Sequence, residues 1–451
     1  MKQLRIIQML MAVVMVLALG SCSSDDLSEV ENQNGKQTIK MEFVGKVIGF
    51  DQQSSSKAKV QTRATSSSWK DGDKIYITFN NGSALVPGEA TYSSTSGWSV
   101  SYDGNLATGS NLKCEARYFV NATFSSSSLV SLNANSEIYE DLNATYAYSN
   151  GSLTVTATLS PKTGRIRFTG KSGENIYTTG ISVYTTFSPA INTFSTSNAM
   201  ITSTVASNGS TPYIYGYFTD NDRNLGLVGS DYAFTRTCTS SMLNVGESGY
   251  MAIPSEVSHN NWRSGLYVKA SGVEFKMIPV AGLESGFFLM AETETTEALY
   301  KSVNGTSSTS QLPITDNFSN YDSFIEKLNN ETKLNFSLPT SSQWLYAAKG
   351  GNKSQNYTYS GSNTPSDVAW YAANCSQEQE VKTKAPNELG IYDMSGNVAE
   401  LVADRYFSGY KYSYFGGSWA SKATEITKIS YGRTDSGYNN YVGFRLILTC
   451  K

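Results

Sequence analysis

The chain has 451 residues, enough for two to four domains of about 150 residues. Its 35 Lys plus Arg against 38 Asp plus Glu give a formal charge of −3, a balance that argues against nucleic-acid binding. A single histidine, His259, rules out a multi-histidine zinc or iron site. A Ser-His-Asp triad would have to draw on that residue, which lies in a Ser-His-Asn-Asn stretch and reads more simply as a surface-loop histidine. The charged fraction is 16%, well under the usual quarter, while aromatics reach 12% with 29 Tyr. Together with abundant Ser, Thr, Asn and Gly, this composition predicts a β-rich exported protein rather than a cytosolic α/β enzyme.

Lys2 and Arg5 precede an apolar run over residues 6–19, too short for a membrane span of about 20 residues, and the pattern is that of a secretory signal. The run ends in LGSC at 19–22, which resembles a bacterial lipobox. That resemblance implies a signal peptide over 1–21, a lipid on Cys22 and anchoring without a span. An ordinary signal with an incidental cysteine is the alternative. Residues 22–39 form an acidic tether with Asp25, Asp26, Glu29 and Glu31. An acidic run behind the lipidated cysteine resembles the export signal of some outer-membrane lipoproteins and implies placement at the cell surface, although a solvated tether has the same composition. Four further cysteines remain: Cys114, Cys238, Cys375 and Cys450. They allow disulfides in three connectivities or buried free thiols; no CxxC pair exists to suggest a metal or redox motif.

Short apolar-alternating segments bounded by Gly, Ser, Asn or Pro predict strands over 40–50, 74–80, 115–121, 152–159, 165–169 and 212–219. Residues 52–68 read as a loop. PKTG at 161–164 is a turn that divides a first region, 40–160, from a second, 161–277. TRA at 62–64, WKDGDKI at 69–75, GRIRF at 164–168 and YMAIP at 250–254 resemble the fimbrillin family. The resemblance implies two transthyretin-like β-sandwiches, lipoprotein export and pilus subunits as partners. Arg63 stands near the place of that family's processing site; an exposed arginine in a disordered loop is the preferred reading.

Helical periods enter after about residue 280. Thr295 is placed to cap a first helix, Ser319 with Asp322 resembles a capping box ahead of Tyr321, Phe324, Ile325 and Leu328, and Thr340 with Gln343 is a second box, with Gly350 as the stop. Within this region TETTEALY at 293–300, LPTSSQWLYAAKGG at 338–351, PNELGIYDMSGNVAE at 386–400, GGSW at 416–419 and GFRL at 443–446 resemble, in order, the formylglycine-generating, or sulfatase-modifying factor, family. The resemblance implies a C-type-lectin-like α+β domain over 278–451. The family's oxygenase holds copper on two cysteines after the Gly-Gly-Ser motif, but residues 418–442 contain none, so it implies no copper and no catalytic residue here. It also implies a structural Ca2+ held by Asp393 and Glu400 carboxylates with Gly396 and Val398 carbonyls; a metal-free hydrogen-bonded turn is the alternative.

Seven of the 37 residues from 405 to 441 are tyrosine. Tyr406, Tyr410, Tyr412, Tyr414, Tyr431, Tyr438 and Tyr441, with Arg433, Asp435, Asn439 and Asn440, make a paratope-like palette of rigid aromatics and adaptable polar groups. Half-buried strand tyrosines are the competing explanation. The layout also resembles the variable proteins of diversity-generating retroelements. The combined expectation is a multidomain, outer-membrane, lipid-anchored adhesin or pilus-tip subunit: two all-β regions carrying a non-catalytic lectin-like head for an unidentified glycan or protein. A divergent formylglycine-generating enzyme is the alternative.

Overall fold

Period-two alternation builds the first half of the molecule. The computed structural model describes residues 36–50, 63–64, 69–125, 129–219, 221–238, 242–253, 262–284, 286–315, 320–404, 412–427, 431–434 and 440–450. Nine strands form one sheet: Gln37–Val47, Arg63–Ala64, Lys74–Asn80, Leu85–Ser93, Gly97–Tyr102, Gly109–Val120, Glu137–Asp141, Thr145–Ser149 and Ser152–Pro161. Gln37–Val47 also pairs in parallel with Ser152–Pro161, Met41 opposite Leu153 and Val47 opposite Leu159, so the strand order returns on itself. The pairing satisfies edges that would otherwise face solvent. It also gathers Ile39, Ile75, Ile77, Phe79, Val100, Tyr146 and Val155 into one core. There Trp69 packs edge-on against Trp98 and Tyr118, each at 5.1 Å between ring centroids.

Residues 161–164 do form the turn between Ser152–Pro161 and Gly164–Thr169. Beyond it lie a seven-stranded and a five-stranded sheet. Two short strands from before the turn, Thr123–Phe124 and Val130–Ser131, join the larger of these, with Val130 opposite Phe187. The tip between Ile181–Ser188 and Thr193–Ser197 reaches back to the first sheet. There Asn192 accepts from Arg117 Nη1 at 2.6 Å and donates to Glu115 at 2.9 Å.

No helix occurs among the described residues before α1 (Glu297–Val303). Its N-cap is Thr296, which accepts from Leu299 N, and not the expected Thr295. Helix α2 (Tyr321–Thr332) follows Asn320, which makes no side-chain cap bond; Ser319, half of the expected box, lies outside the described residues. Helix α3 (Ser341–Ala348) carries the complete Thr340–Gln343 box, and Gly350 follows it at φ +86°. A short α4 covers Pro365–Val368.

Around these helices stand a five-stranded sheet, in the order Leu266–Ala270, Val273–Val280, Phe288–Ala291, Ile447–Leu448 and Phe336–Ser337, and a four-stranded one. The division expected at 277/278 falls inside Val273–Val280. Val228 and Ala233 of the second region share a core with Leu266, Met277, Leu289, Phe324 and Leu448. Cys114, Cys238, Cys375 and Cys450 are all free, which decides between disulfides and thiols. Among the described residues no helix is long and apolar enough to cross a membrane. Cys22 lies outside them, and so does His259.

Candidate functional site

The DMSGNVAE segment is a tight turn followed by a strand. Asp393 and Asn397 adopt left-handed backbone, at φ +60° and +54°, and Gly396 sits between them at φ +77°. A β-carbon on Gly396 would lie 2.2 Å from the Trp370 carbonyl oxygen, so the turn excludes any side chain there. The chain then enters Ala399–Leu401, the strand that pairs with Tyr412–Phe415 on one side and in parallel with Val442–Phe444 on the other.

This geometry closes a buried polar network. Arg445, with no exposed surface, donates to Glu400 through Nε at 2.9 Å and Nη2 at 2.6 Å. Its remaining donors reach the carbonyls of Ala291 at 2.9 Å and Tyr392 at 2.7 Å. Trp344 Nε1 of α3 donates to Glu400 at 2.7 Å. Glu294, ahead of α1, accepts from Asn397 Nδ2 at 2.7 Å and Val398 N at 3.0 Å. Asp393 accepts from Lys382 N at 2.7 Å, while its Oδ1 is buried without a partner. Burial, then repulsion from Asp393 and Glu400, pushes the Glu294 carboxyl well above the usual range. Burial, reinforced by Glu400, pushes Asp393 up to about 6.

Of the four residues expected to hold calcium, Glu400 already has both carboxylate oxygens engaged within the protein. Ca2+ takes six to eight oxygen ligands at about 2.3–2.6 Å. Both oxygens of Glu400 face a guanidinium and an indole N–H, so a cation drawing on them would have to break a buried ion pair. Among the described residues no three His, Cys, Asp or Glu side chains come together as a metal site. For copper, residues 418–442 lack cysteine, and burial pushes Cys450 and Cys114 up to about 12 and Cys238 to about 11, with Cys375 also raised.

Sequence reasoning passed over Glu294, Asn397, Trp344 and Arg445. One signal was available: an arginine flanked by Phe444 and Leu446 in an apolar stretch demands a buried partner.

The tyrosine-bearing segments form the other candidate. Tyr412–Phe415 lies between Ala399–Leu401 and the edge strand Tyr431–Thr434. In register, Tyr412 stands opposite Thr434, Ser413 opposite Arg433, Tyr414 opposite Gly432 and Phe415 opposite Tyr431. Ser413 and Phe415 are each 1% exposed, and Leu401, opposite Tyr414, is also 1% exposed, so both faces of this strand are covered. Tyr414 and Tyr441 are half-buried against the core, and burial raises the Tyr414 hydroxyl with Tyr441 adding to the effect. Asn440 is exposed. Tyr406, Tyr410, Asp435, Tyr438 and Asn439 lie outside the described residues.

Residues 244–450 match the family described as sulfatase-modifying factor enzyme 1-like domain, so the chain carries such a domain at its C-terminal end. Over 144 residues it is 38% identical to a chaperone protein LppX of Paenibacillus barcinonensis, a match covering 26% of this chain and 51% of that protein. The chain thus spans about half the length of this curated relative. Among solved structures, Treponema denticola variable protein 1 is 25% identical, covering 41% of this chain and 98% of that one at a TM-score of 0.36. A fimbrial protein from Bacteroides ovatus is 10% identical, covering 91% and 99% at a TM-score of 0.24.

Proposed function

We propose that this protein is a lipid-anchored outer-membrane surface protein whose two β-rich regions, as transthyretin-like sandwiches, present a non-catalytic, lectin-like binding head. Its role would be that of an adhesin or pilus-associated tip subunit, with a glycan or protein as ligand. The observation that carries the non-catalytic reading is the donor set: residues 418–442, behind the Gly-Gly-Ser motif, hold no cysteine, and burial raises each of the four described thiols. In the stretch after the Gly-Gly-Ser motif, where the oxygenase needs its metal, the sequence carries Tyr, Ser, Gly and Asn, residue types suited to recognition. Glu400, directly after the turn that resembles the family's calcium site, is held by Arg445 and Trp344.

Incubating the purified chain with a sulfatase-motif peptide and copper tests the reading. The expected result is no formylglycine and no stoichiometric copper; turnover above a heat-inactivated control returns the protein to the oxygenases. A second reading is favoured by the segment 38% identical to a protein named a chaperone: that the C-terminal domain assists another exported protein. Suppression of a client's aggregation at equimolar ratio separates it from the first.

A further inference from the structure

A cavity of about 240 Å³ opens between the Leu266–Ala270 and Val273–Val280 hairpin, the residues following Phe288–Ala291, and the segment at Lys382. It shares no lining residue with the tyrosine-bearing sheet, and the buried network borders it at Glu294, at Ala291, whose carbonyl accepts from Arg445, and at Lys382, whose backbone N–H donates to Asp393. Its walls include Lys276, Glu292, Thr295 and Lys382. Glu292, whose side chain is 11% exposed, faces two cations: Lys276 Nζ at 2.9 Å and Lys382 Nζ at 2.7 Å. One carboxylate between two ammoniums leaves a net charge of +1. The other acids on the wall do not cancel it. Glu274 is held by both terminal nitrogens of Arg263, at 2.6 and 3.1 Å. Glu294 gives both oxygens to Asn397 and Val398, and burial favours its neutral form.

Thr295 supplies a second observation. It is 3% exposed, it lines the cavity, and its Oγ1 has no partner. A buried hydroxyl without a hydrogen bond is unfavourable, and a polar ligand at this wall relieves it. Each ammonium carries three N–H donors, of which Glu292 takes one. A single excess positive charge balances one carboxylate better than a phosphate dianion. The volume is below the range of about 300–1,000 Å³ typical of sites for drug-sized molecules, which points to a ligand the size of one sugar or amino acid.

We propose that this cavity binds a small carboxylate ligand, its anion drawn to Lys276 and Lys382 beside Glu292 and its polar body reaching Thr295. The carboxylate can come from a sugar acid or from a simple hydroxy acid. Titrating the full chain with D-glucuronate, L-lactate and D-glucose, and following heat of binding and melting temperature, distinguishes these sources. At least one carboxylate is expected to bind and raise the melting temperature, with glucose, which has the sugar ring without the acid, giving no response. Lys382→Gln should weaken that binding at least about tenfold. Its side chain is 46% exposed, so the fold tolerates the change. Thr295→Val should weaken binding while leaving the melting temperature of the free protein equal or higher, because the hydroxyl it deletes has no partner. Silence from both carboxylates, an equal response to glucose, or undiminished binding in both variants overturns the proposal.

Discussion

Arg445 and Glu400 face each other with neither side chain measurably in solvent. Removing one member of such a pair leaves an uncompensated buried charge, so Arg445→Met should destabilise the protein by about 3–5 kcal/mol. Adding Glu400→Gln should recover part of the loss, which denaturant melts of the single and double variants measure. Asp393 sets the pH response. It binds its proton more tightly in the folded chain, at about 6, than at its ordinary 3.8. Its contribution is complete below pH 3.8 and is lost as pH rises through about 6, with Glu294 acting in the same direction. Melting temperature should fall between pH 4 and pH 7 by the equivalent of roughly 2 kcal/mol, and Asp393→Asn should flatten the curve. These roles were only half legible in the sequence. Asp393 and Glu400 stood out as carboxylates in a turn, but their partner Arg445 is 45 residues from Glu400 and Glu294 lies 103 residues before Asn397. Spacing along a chain does not reveal which distant cation a carboxylate meets, so the Arg445 partner of Glu400 is not legible in the turn motif.

Local rules worked where local chemistry decides. The Thr340–Gln343 box caps α3 as its spacing predicts, and the 74–80 strand occupies Lys74–Asn80. Thr340→Ala should cost about 1 kcal/mol. Boundaries failed where neighbours decide: Gln37–Val47 begins three residues before the alternation suggests, because its first residues pair with Gly97–Tyr102. The cap expected at Thr295 falls on Thr296 because the two threonines adjoin, and pattern alone does not choose between them. In the turn before Ala399–Leu401, Gly396→Ala adds a side chain at positive φ against the Trp370 carbonyl and should cost more than about 1 kcal/mol. Because Glu400 is committed to Arg445, EDTA should leave the melting temperature unmoved; a drop reversed by Ca2+ contradicts that assignment. Tyr414→Ala, at a half-buried position, should cost about 1 kcal/mol, whereas Phe444→Ala in the core should cost about 3–5 kcal/mol.

At the scale of the whole molecule, the β-rich character was visible in composition, while the way the regions join was not. The second region and the C-terminal domain share one core through Val228, Ala233 and Leu266, and the domain's family match begins at residue 244, upstream of the change in texture near 280. Apolar residues at such a junction look like any other strand core, so no linker marks it. Anchoring is separable from this architecture: Cys22→Ala should abolish incorporation of radiolabelled palmitate without altering the melting temperature. The central claim is that the chain presents a binding head. Its most direct test is retention of ligands on glycan and surface-protein arrays by the full chain, beside a variant carrying Tyr406→Ser, Tyr410→Ser and Tyr438→Ser. The account predicts a defined ligand for the parent chain and loss of retention in the variant, with stability changed by less than about 0.5 kcal/mol. Equal retention by both proteins, retention by neither, or a variant that melts like Phe444→Ala would contradict it.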